Sequence, residues 1–572
     1  MSNFDWAVLV GTLLFIVVYG VWKTRGNRDM DNYLRGGNSM KWWTVGLSVM
    51  ATQASAITFL STPGQAFEDG LRFVQFYFGL PIAMVIISIT FIPIYYRLKV
   101  YTAYEYLESR FDVRTRVLGA MIFLVQRALS AGITIYAPAI ILSSALGWPL
   151  SSTSLVIGIA VIIYTVSGGT KAVSQTQKQQ MAVMMGGMVA AGFMILHLLP
   201  ADISLGNALD VAGSMGRLNA ISFEFDPSDR YNFWSGVLGG TFLFLSYFGT
   251  DQSQVQRYLT GRSITESRLG LMMNGLLKVP MQFFILFVGV LVFVFYQFYQ
   301  PPLFFIEKGR ETVQTSAYAP EWQALNEDYD GLWNQKNAEI HRYLEHLKLD
   351  NGPAARQSRQ KIRQLSEDEQ KLKQSAKVLV HQADPDLATQ DYDYVFITFV
   401  MEYFPEGLVG LLLAVILSAA MSSTASELNA LSTTATVDLY RRLVKPDASD
   451  GHYVWVSRGF TLLWGSLALT SALFASLAEN LIELVNIIGS VFYGQVLGIF
   501  VAAFYIRRIQ AKAVFLAAIV AQGLVIALFF TTDISYLWFN PIGVGLVISI
   551  ASLLQLSFFE SKPIKTDTES PR

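Results

Sequence analysis

The chain of 572 residues sets 42 Lys and Arg against 43 Asp and Glu, a formal net charge of −1, and is 52% hydrophobic but only 15% charged, with a mean hydropathy of +0.39. That balance belongs to a polytopic membrane protein; it excludes an ordinary soluble enzyme and leaves no electrostatic footprint for nucleic acid or an acidic partner. The sequence has no cysteine, which excludes disulfides, iron–sulfur clusters and thiol chemistry.

In chain order, thirteen apolar segments are long enough to cross about 30 Å of hydrocarbon at roughly 1.5 Å per helical residue. They lie near 6–22, 42–66, 73–96, 117–143, 152–167, 179–200, 233–253, 269–298, 407–435, 454–476, 481–505, 512–531 and 538–558. An all-α polytopic membrane protein in a lipid bilayer is expected. The first segment follows Asp5 rather than a basic region and lacks a small-residue cleavage site, so it is expected to remain as a helix and not to be removed as a signal peptide.

Every second short connection is basic: Lys23 to Lys41, Arg97 to Arg116, Lys171 with Lys178, Arg257 to Arg268, Arg441 to Lys445, Arg507 to Lys512, and Lys562 with Lys565 in the tail. The positive-inside rule then predicts an outside N-terminus and a cytoplasmic C-terminus in the cell inner membrane. One stretch breaks the alternation. Residues 302–395 are polar and charged, on the outer side, with apolar residues at three- and four-residue steps on both flanks of Asn351-Gly352-Pro353. This predicts a helical hairpin turning at Gly-Pro, readable either as a docking surface or lid or as a tolerated exterior insertion.

No catalytic constellation is present. His197, His341, His346, His381 and His452 are scattered, and neither a His-Glu-x-x-His helix nor a glycine-rich nucleotide loop occurs, so no enzyme and no organic cofactor are expected. The unusual feature is polarity inside apolar helices. Ser418 to Tyr440 turns small and hydroxylated, with Ala419, Ser422, Ser423, Ser426, Asn429, Ala430 and Thr433 on one broad helical face. Such a stripe meets either a closely packed helix or an ion and water. Ser48 to Thr58 carries a second polar run, closed by Pro63-Gly64, and Gly249-Thr250-Asp251-Gln252 interrupts or ends an aromatic helix. Paired interruptions of this kind point to a transporter built from inverted repeats.

The runs GGTKAVSQTQKQQ from Gly168, TDQSQVQRY from Thr250, YTAYEYLESRF from Tyr101, and MSSTASELN from Met421 with VDLY from Val437 resemble the signature segments of the sodium/solute symporter family. The similarity covers about 5–558 except the insertion. It implies a LeuT-like five-plus-five inverted-repeat core formed by the second to eleventh of about 13 transmembrane helices. The implied organisation is an extra helix and loop at 1–41, core at 42–301 and 396–506, the insertion at 302–395, and two further helices with a short tail at 507–572.

The resemblance also implies a sodium site made by the backbone carbonyls of Ala51, Ala54 and Ala419 and the hydroxyls of Ser422 and Ser423. Solute contacts carried over in the same way are Thr58, Tyr77, Asp251, Gln252, Lys278 and Asn486. The run SAITFLSTPGQAFEDG from Ser55 is closer to the monocarboxylate, iodide and vitamin branch than to the sugar branch, which has glutamine where Thr58 stands and glutamate where Tyr77 stands. Lys278 could attract a carboxylate solute or pair with Asp251; Arg127 and Glu483 are further charges inside apolar segments. Where a second sodium would use an aspartate, this chain has Gln177, and one of the accompanying serines is Ala425, so one sodium per solute is expected.

The implied function is sodium-coupled import of a small polar or anionic organic solute by alternating access. Voltage alone supplies about 2.3 kcal/mol per charge per 100 mV. Proton coupling is the alternative, and a receptor using the insertion to bind a partner is the alternative of another class. The cysteine-free sequence allows a direct test of orientation. In intact cells a membrane-impermeant maleimide is expected to label Asp350→Cys and to miss Lys512→Cys; the opposite pattern reverses the topology.

Overall fold

A computed structural model describes residues 1–24, 30–473 and 481–558. Arg25 and Arg28 of the first basic connection, the end of the segment at 454–476, and Lys562 and Lys565 lie outside the described residues. The first helices are α1 (Asn3–Thr24), α2 (Met30–Arg35), α3 (Trp42–Gln53), α4 (Ala56–Asp69), α5 (Gly79–Ile89), α6 (Phe91–Leu98), α7 (Glu105–Arg110) and α8 (Val113–Leu146). Next come α9 (Leu150–Leu198), α10 (Leu205–Ser214), α11 (Gly240–Gly249), α12 (Gln252–Tyr258) and α13 (Ile264–Phe298). The insertion contributes α14 (Glu307–Gln314), α15 (Ala319–Lys348) and α16 (Gly352–Ala383). The chain continues with α17 (Tyr392–Tyr403), α18 (Leu408–Thr434), α19 (Asp450–Ala472), α20 (Leu481–Tyr505), α21 (Ala511–Thr531) and α22 (Phe539–Phe558).

By length and hydropathy, eight helical stretches among the described residues can cross a bilayer, with shorter apolar helices at Asn3–Tyr19, Leu150–Ile163 and Ser235–Gly249. Two expected segments, 152–167 and 179–200, form the two helical halves of α9, and Lys171, expected in the connection, lies at the start of the second half. The join is a kink at Gly169, whose φ of 58° suits glycine, and a Cβ there would stand 2.7 Å from the Tyr33 ring. Both constraints keep the position small.

Helix α18 is the centre of the bundle. Its apolar window is 83% buried, against 33% for peripheral α21, and α9, α8, α1, α19 and α4 pack around it. A helix this buried cannot satisfy its first N–H groups with water. Asp5 of α1 does so instead, its Oδ1 accepting from the Gly407 and Gly410 N–H groups at 2.7 and 3.0 Å. The same approach requires glycine, since a Cβ on Gly410 would lie 2.2 Å from the Asp5 carbonyl.

The second expected segment is broken. Helix α3 stops at Gln53 and α4 starts at Ala56, with Ala54 (ψ 81°) and Ser55 (ψ 175°) extended between them. The seventh is broken as well: α11 ends at Gly249, and Asp251 caps α12 by accepting from the Ser253 N–H at 2.9 Å.

The insertion folds as α14 beside a long α15–α16 hairpin, the turn capped by the Asn351 side chain. It has its own small core around Phe304, Val313, Trp322, Tyr329, Ala376 and Val380. Trp333 donates to the Tyr296 carbonyl at 3.2 Å and Arg363 to the Ser214 carbonyl at 3.0 Å, fastening the hairpin to the ends of α13 and α10. Glu369 is buried between Lys336, with which it forms an ion pair, and Lys373 at 2.9 Å. Burial alone would raise its carboxyl, but the two ammonium groups outweigh that and bring it down to about 2. A depressed carboxyl stabilises the folded form above its unfolded value of about 4.3 and loses that contribution as pH falls towards 2. Glu369→Gln leaves Lys336 buried without a counter-charge and is expected to cost about 3 kcal/mol or more. Pepsin digestion should therefore cut wild-type 302–395 readily only below about pH 4, and the variant at any pH at which pepsin acts; equal resistance of the two proteins contradicts this.

Candidate functional site

Two elements facing each other build the site: the break between α3 and α4, and the hydroxylated face of α18. In an uninterrupted helix the Ser55 and Thr58 N–H groups would close onto Ala51 and Ala54. At the break Ser55 donates to the Gln53 carbonyl at 3.1 Å and Thr58 to the Ser55 carbonyl at 3.0 Å. The released Ala51 carbonyl accepts from Ser422 Oγ at 3.0 Å, and Ser423 Oγ donates to the Ala419 carbonyl at 3.0 Å. Ala51, Ala54, Ala419, Ser422 and Ser423 are all buried, at 1% exposure or less. The structure thus links Ala51 to Ser422 across the two elements and Ala419 to Ser423 within α18.

Directly beside them, Gln177 of α9 aims its amide nitrogen into a ring of oxygens. Nε2 donates to Thr52 Oγ1 at 3.0 Å, Ser422 Oγ at 3.1 Å and Ser426 Oγ at 2.9 Å, while Oε1 accepts from Ser48 Oγ at 2.5 Å. Lys178, next in sequence, turns away and places its ammonium 5.0 Å from the Trp43 ring centroid.

On the other side of the break lies a cavity of about 90 Å³, its wall including Ser55, Ile57, Thr58, Tyr77, Arg127, Thr134, Tyr247, Glu427, Asn486 and Tyr493. Arg127 of α8 is its focus. Its Nη1 donates to Glu427 Oε1 at 3.1 Å and its Nη2 to Asp251 and to the Tyr493 hydroxyl, the latter at 2.8 Å. Thr134 Oγ1 holds the other Glu427 oxygen at 2.9 Å, and the Tyr247 ring lies 5.4 Å from the guanidinium carbon. One cation and two carboxylates, none more than 6% exposed, therefore share one buried network.

The profile of the sodium:solute symporter family matches residues 33–319 and 379–521, most of the chain and both halves of this site. The chain belongs to the sodium:solute symporter family. It is a sodium-coupled solute symporter with a LeuT-like fold, and not an enzyme. Within this family it is 35% identical over 300 residues to the human sodium/iodide cotransporter, a match covering 51% of this chain but 45% of that protein. To the mouse sodium-coupled monocarboxylate transporter 1 it is 27% identical, over 87% of this chain and 68% of the relative. The sodium/sialic acid symporter of Proteus mirabilis aligns at 24% identity over 98% and 97% of the two chains. A solved Na+-coupled sialic acid symporter in a substrate-bound outward-open state superimposes with a TM-score of 0.74 at 22% identity, covering 98% and 99%.

Of the residues that the family resemblance selects for solute, Thr58, Tyr77 and Asn486 line the cavity. Asp251 reaches it through Arg127 and through the Tyr493 hydroxyl, which donates to it at 3.3 Å. Gln252 and Lys278 stand elsewhere: Gln252 accepts from the Ala103 N–H and donates to the Tyr101 carbonyl, locking a loop. Lys278 does not pair with Asp251, because Asp251 is taken by Arg127; its Nζ lies 5.9 Å from the Tyr77 ring centroid. Glu483 binds Arg230 at 2.5 Å and the Tyr231 hydroxyl at 3.1 Å. Glu427, Thr134, Tyr247 and Tyr493 were not selected by sequence. The signal for Glu427 was present, a carboxylate in the hydroxylated stretch that needed a cation within an apolar helix.

Removing that cation would leave two buried carboxylates facing each other. Arg127→Leu is expected to lower stability by about 3–5 kcal/mol, and adding Asp251→Asn and Glu427→Gln should restore most of it. Thermal melting in detergent checks this; a single variant as stable as wild type contradicts the network.

Proposed function

We propose that this symporter binds one sodium ion at the Ala51, Ala54, Ala419, Ser422 and Ser423 oxygens and, with it, imports a small organic anion of the carboxylate class. The observation that carries the anion is Arg127, the one cationic side chain among the described residues of the cavity wall. A guanidinium recognises a carboxylate through two parallel N–H bonds; Arg127 Nε has no partner, and a solute carboxylate would take it together with an Nη by displacing one of the two protein carboxylates. The cavity is small and partly apolar, with Ile57, Leu243, Phe244, Ile482 and Val485 in its wall, which suits a short carbon chain behind the charged head. The relatives' named solutes, iodide, monocarboxylates and sialic acid, are anions or carry a carboxylate, in line with this reading.

Coupling follows from the break itself. The last turn of α3 presents carbonyls, the negative end of a helix dipole, and the first turn of α4 presents N–H groups, the positive end. A cation on the first side and an anion on the second stabilise the same extended link, Ala54-Ser55. Each ion therefore favours the geometry that the other needs. Five neutral oxygens replace much of a sodium ion's hydration shell without a fixed negative charge to hold it, so release stays feasible. On receiving the ion, the Ser422 and Ser423 hydroxyls would rotate to turn their lone pairs to it.

One sodium is the stoichiometry that Gln177 favours, since an amide nitrogen already fills the neighbouring ring of Thr52, Ser422 and Ser426 oxygens. Proton coupling would need a titratable group at the ion oxygens, and none of the five residues has one. The basic face carrying Arg262, Arg268, Arg441 and Arg442 faces the cytoplasm of the inner membrane, with the insertion outside.

The test is uptake into proteoliposomes. Sodium-dependent uptake should be inhibited by short monocarboxylates and not by sugars; sugars competing in place of carboxylates overturn the solute class. Replacing Ser422 and Ser423 together by alanine should raise the half-saturating sodium concentration roughly tenfold or more, at about 1.5 kcal/mol per contact to a charged group. Unchanged sodium dependence removes the site.

A further inference from the structure

Below the cation oxygens a buried seam of polar side chains runs between α3, α9, α18 and α12 towards the basic face. From Gln177 it passes to Ser48 at 2.5 Å, then to Ser174 at 3.2 Å, where Arg257 Nη1 stands 3.5 Å away. Arg257 Nη2 donates to Gln256 Oε1 at 2.8 Å, and Gln256 Nε2 donates in turn to Thr170 Oγ1 at 2.7 Å and to the Leu34 carbonyl at 2.6 Å. There the seam is covered by the segment of α2 and its continuation, which is pinned by the Met40 N–H on the Thr260 carbonyl and the Arg262 N–H on the Met40 carbonyl, at 3.1 and 3.0 Å.

Arg257 is 0% exposed and the largest fully buried side chain among the described residues. Its Nε has no hydrogen-bond partner, and no carboxylate lies within ion-pair distance of it. Arg127, by contrast, is matched by two carboxylates, and Lys278 is the other fully buried cation without a carboxylate at ion-pair distance among the described residues. Burying a guanidinium with only neutral partners is costly, and α12 ends one residue later. A chain that nevertheless keeps this charge inward places it across a continuous run of hydrogen-bonded side chains that leads from the cation oxygens to the covering segment. In a low-dielectric passage a fixed positive charge repels a cation strongly, the device by which pores exclude cations.

We propose that Arg257 is the electrostatic bar of the inner gate: its uncompensated guanidinium closes the polar seam to sodium until the side chain is displaced. The proposal rests on the sodium reading above and goes beyond it, because it concerns the path of release and not the site. It explains why the seam can be polar throughout without leaking. Sodium that enters from outside without solute stops at Arg257; opening of the inner side moves α12 and the covering segment, and the charge with them.

The test is 22Na+ entry into proteoliposomes without any solute. Arg257→Gln, which keeps length and hydrogen bonding but loses the charge, should raise entry roughly tenfold. Arg257→Lys, which keeps the charge, should stay at the wild-type rate. Ser174→Asp leaves the guanidinium in place beside a new counter-charge and should leak like Arg257→Gln, which keeps the proposal open to refutation if that variant does not fold. Wild-type entry in every folded neutralised variant, or a leak in Arg257→Lys equal to that of Arg257→Gln, overturns the bar. The sodium-dependent rise in melting temperature, read on the same wild-type preparation, separates the two failures: its presence without a leak in the variants rejects the Arg257 role alone, and its absence rejects the sodium site and the bar together.

Discussion

Backbone groups left unpaired inside a bilayer must find partners, and the structure depends on how the break between α3 and α4 meets that demand. A helix stopped at Gln53 and restarted at Ala56 exposes carbonyls and N–H groups at membrane depth. They are tolerated because α18 brings hydroxyls to the carbonyls and because the N–H side opens on a cavity. Almost everything else follows from holding α18 in place: Asp5 capping its start, α9 wrapping it with a glycine kink, and Gln177 filling the ring of oxygens one turn further along.

Charge placement follows the same logic. Arg127, Asp251 and Glu427 come from three helices and sum to one negative charge, stable only as a unit. The network leaves the guanidinium at the cavity wall, already oriented, and under the proposed function an anionic solute would exchange with one carboxylate oxygen there. Arg257 is the counterexample. Its guanidinium, like the Lys278 ammonium, is buried with no carboxylate at ion-pair distance, a cost that the proposed role at the inner gate would account for.

Much of this was legible in the sequence. Hydropathy located the apolar helices, and the small and hydroxylated residues of Ser48–Thr58 and Ser418–Tyr440 marked the two elements of the site before any contact was known. The two apolar halves of α9 were legible but the place of their break was not, because Lys171 and Lys178 read as the loop; the non-helical residue is Gly169, and both lysines lie in the second half. Ion pairs were the other gap. Arg127 and Glu427 are 300 residues apart, and nothing local in either helix tells which buried charge its partner is, so Asp251 was assigned an option, Lys278, that packing does not bring near. The hairpin of the insertion was readable from its three- and four-residue steps and Gly-Pro turn, whereas the Lys336–Glu369–Lys373 cluster inside it was not. The family profile leaves 320–378 unmatched, so that cluster belongs to a part of the chain with its own packing rules.

The central claim is that the helix break and α18 form one cation site while Gln177 occupies the next. Equilibrium binding of 22Na+ to the purified protein measures it most directly. Saturation at one ion per chain is the predicted result; saturation at two, or no saturable binding, would contradict it.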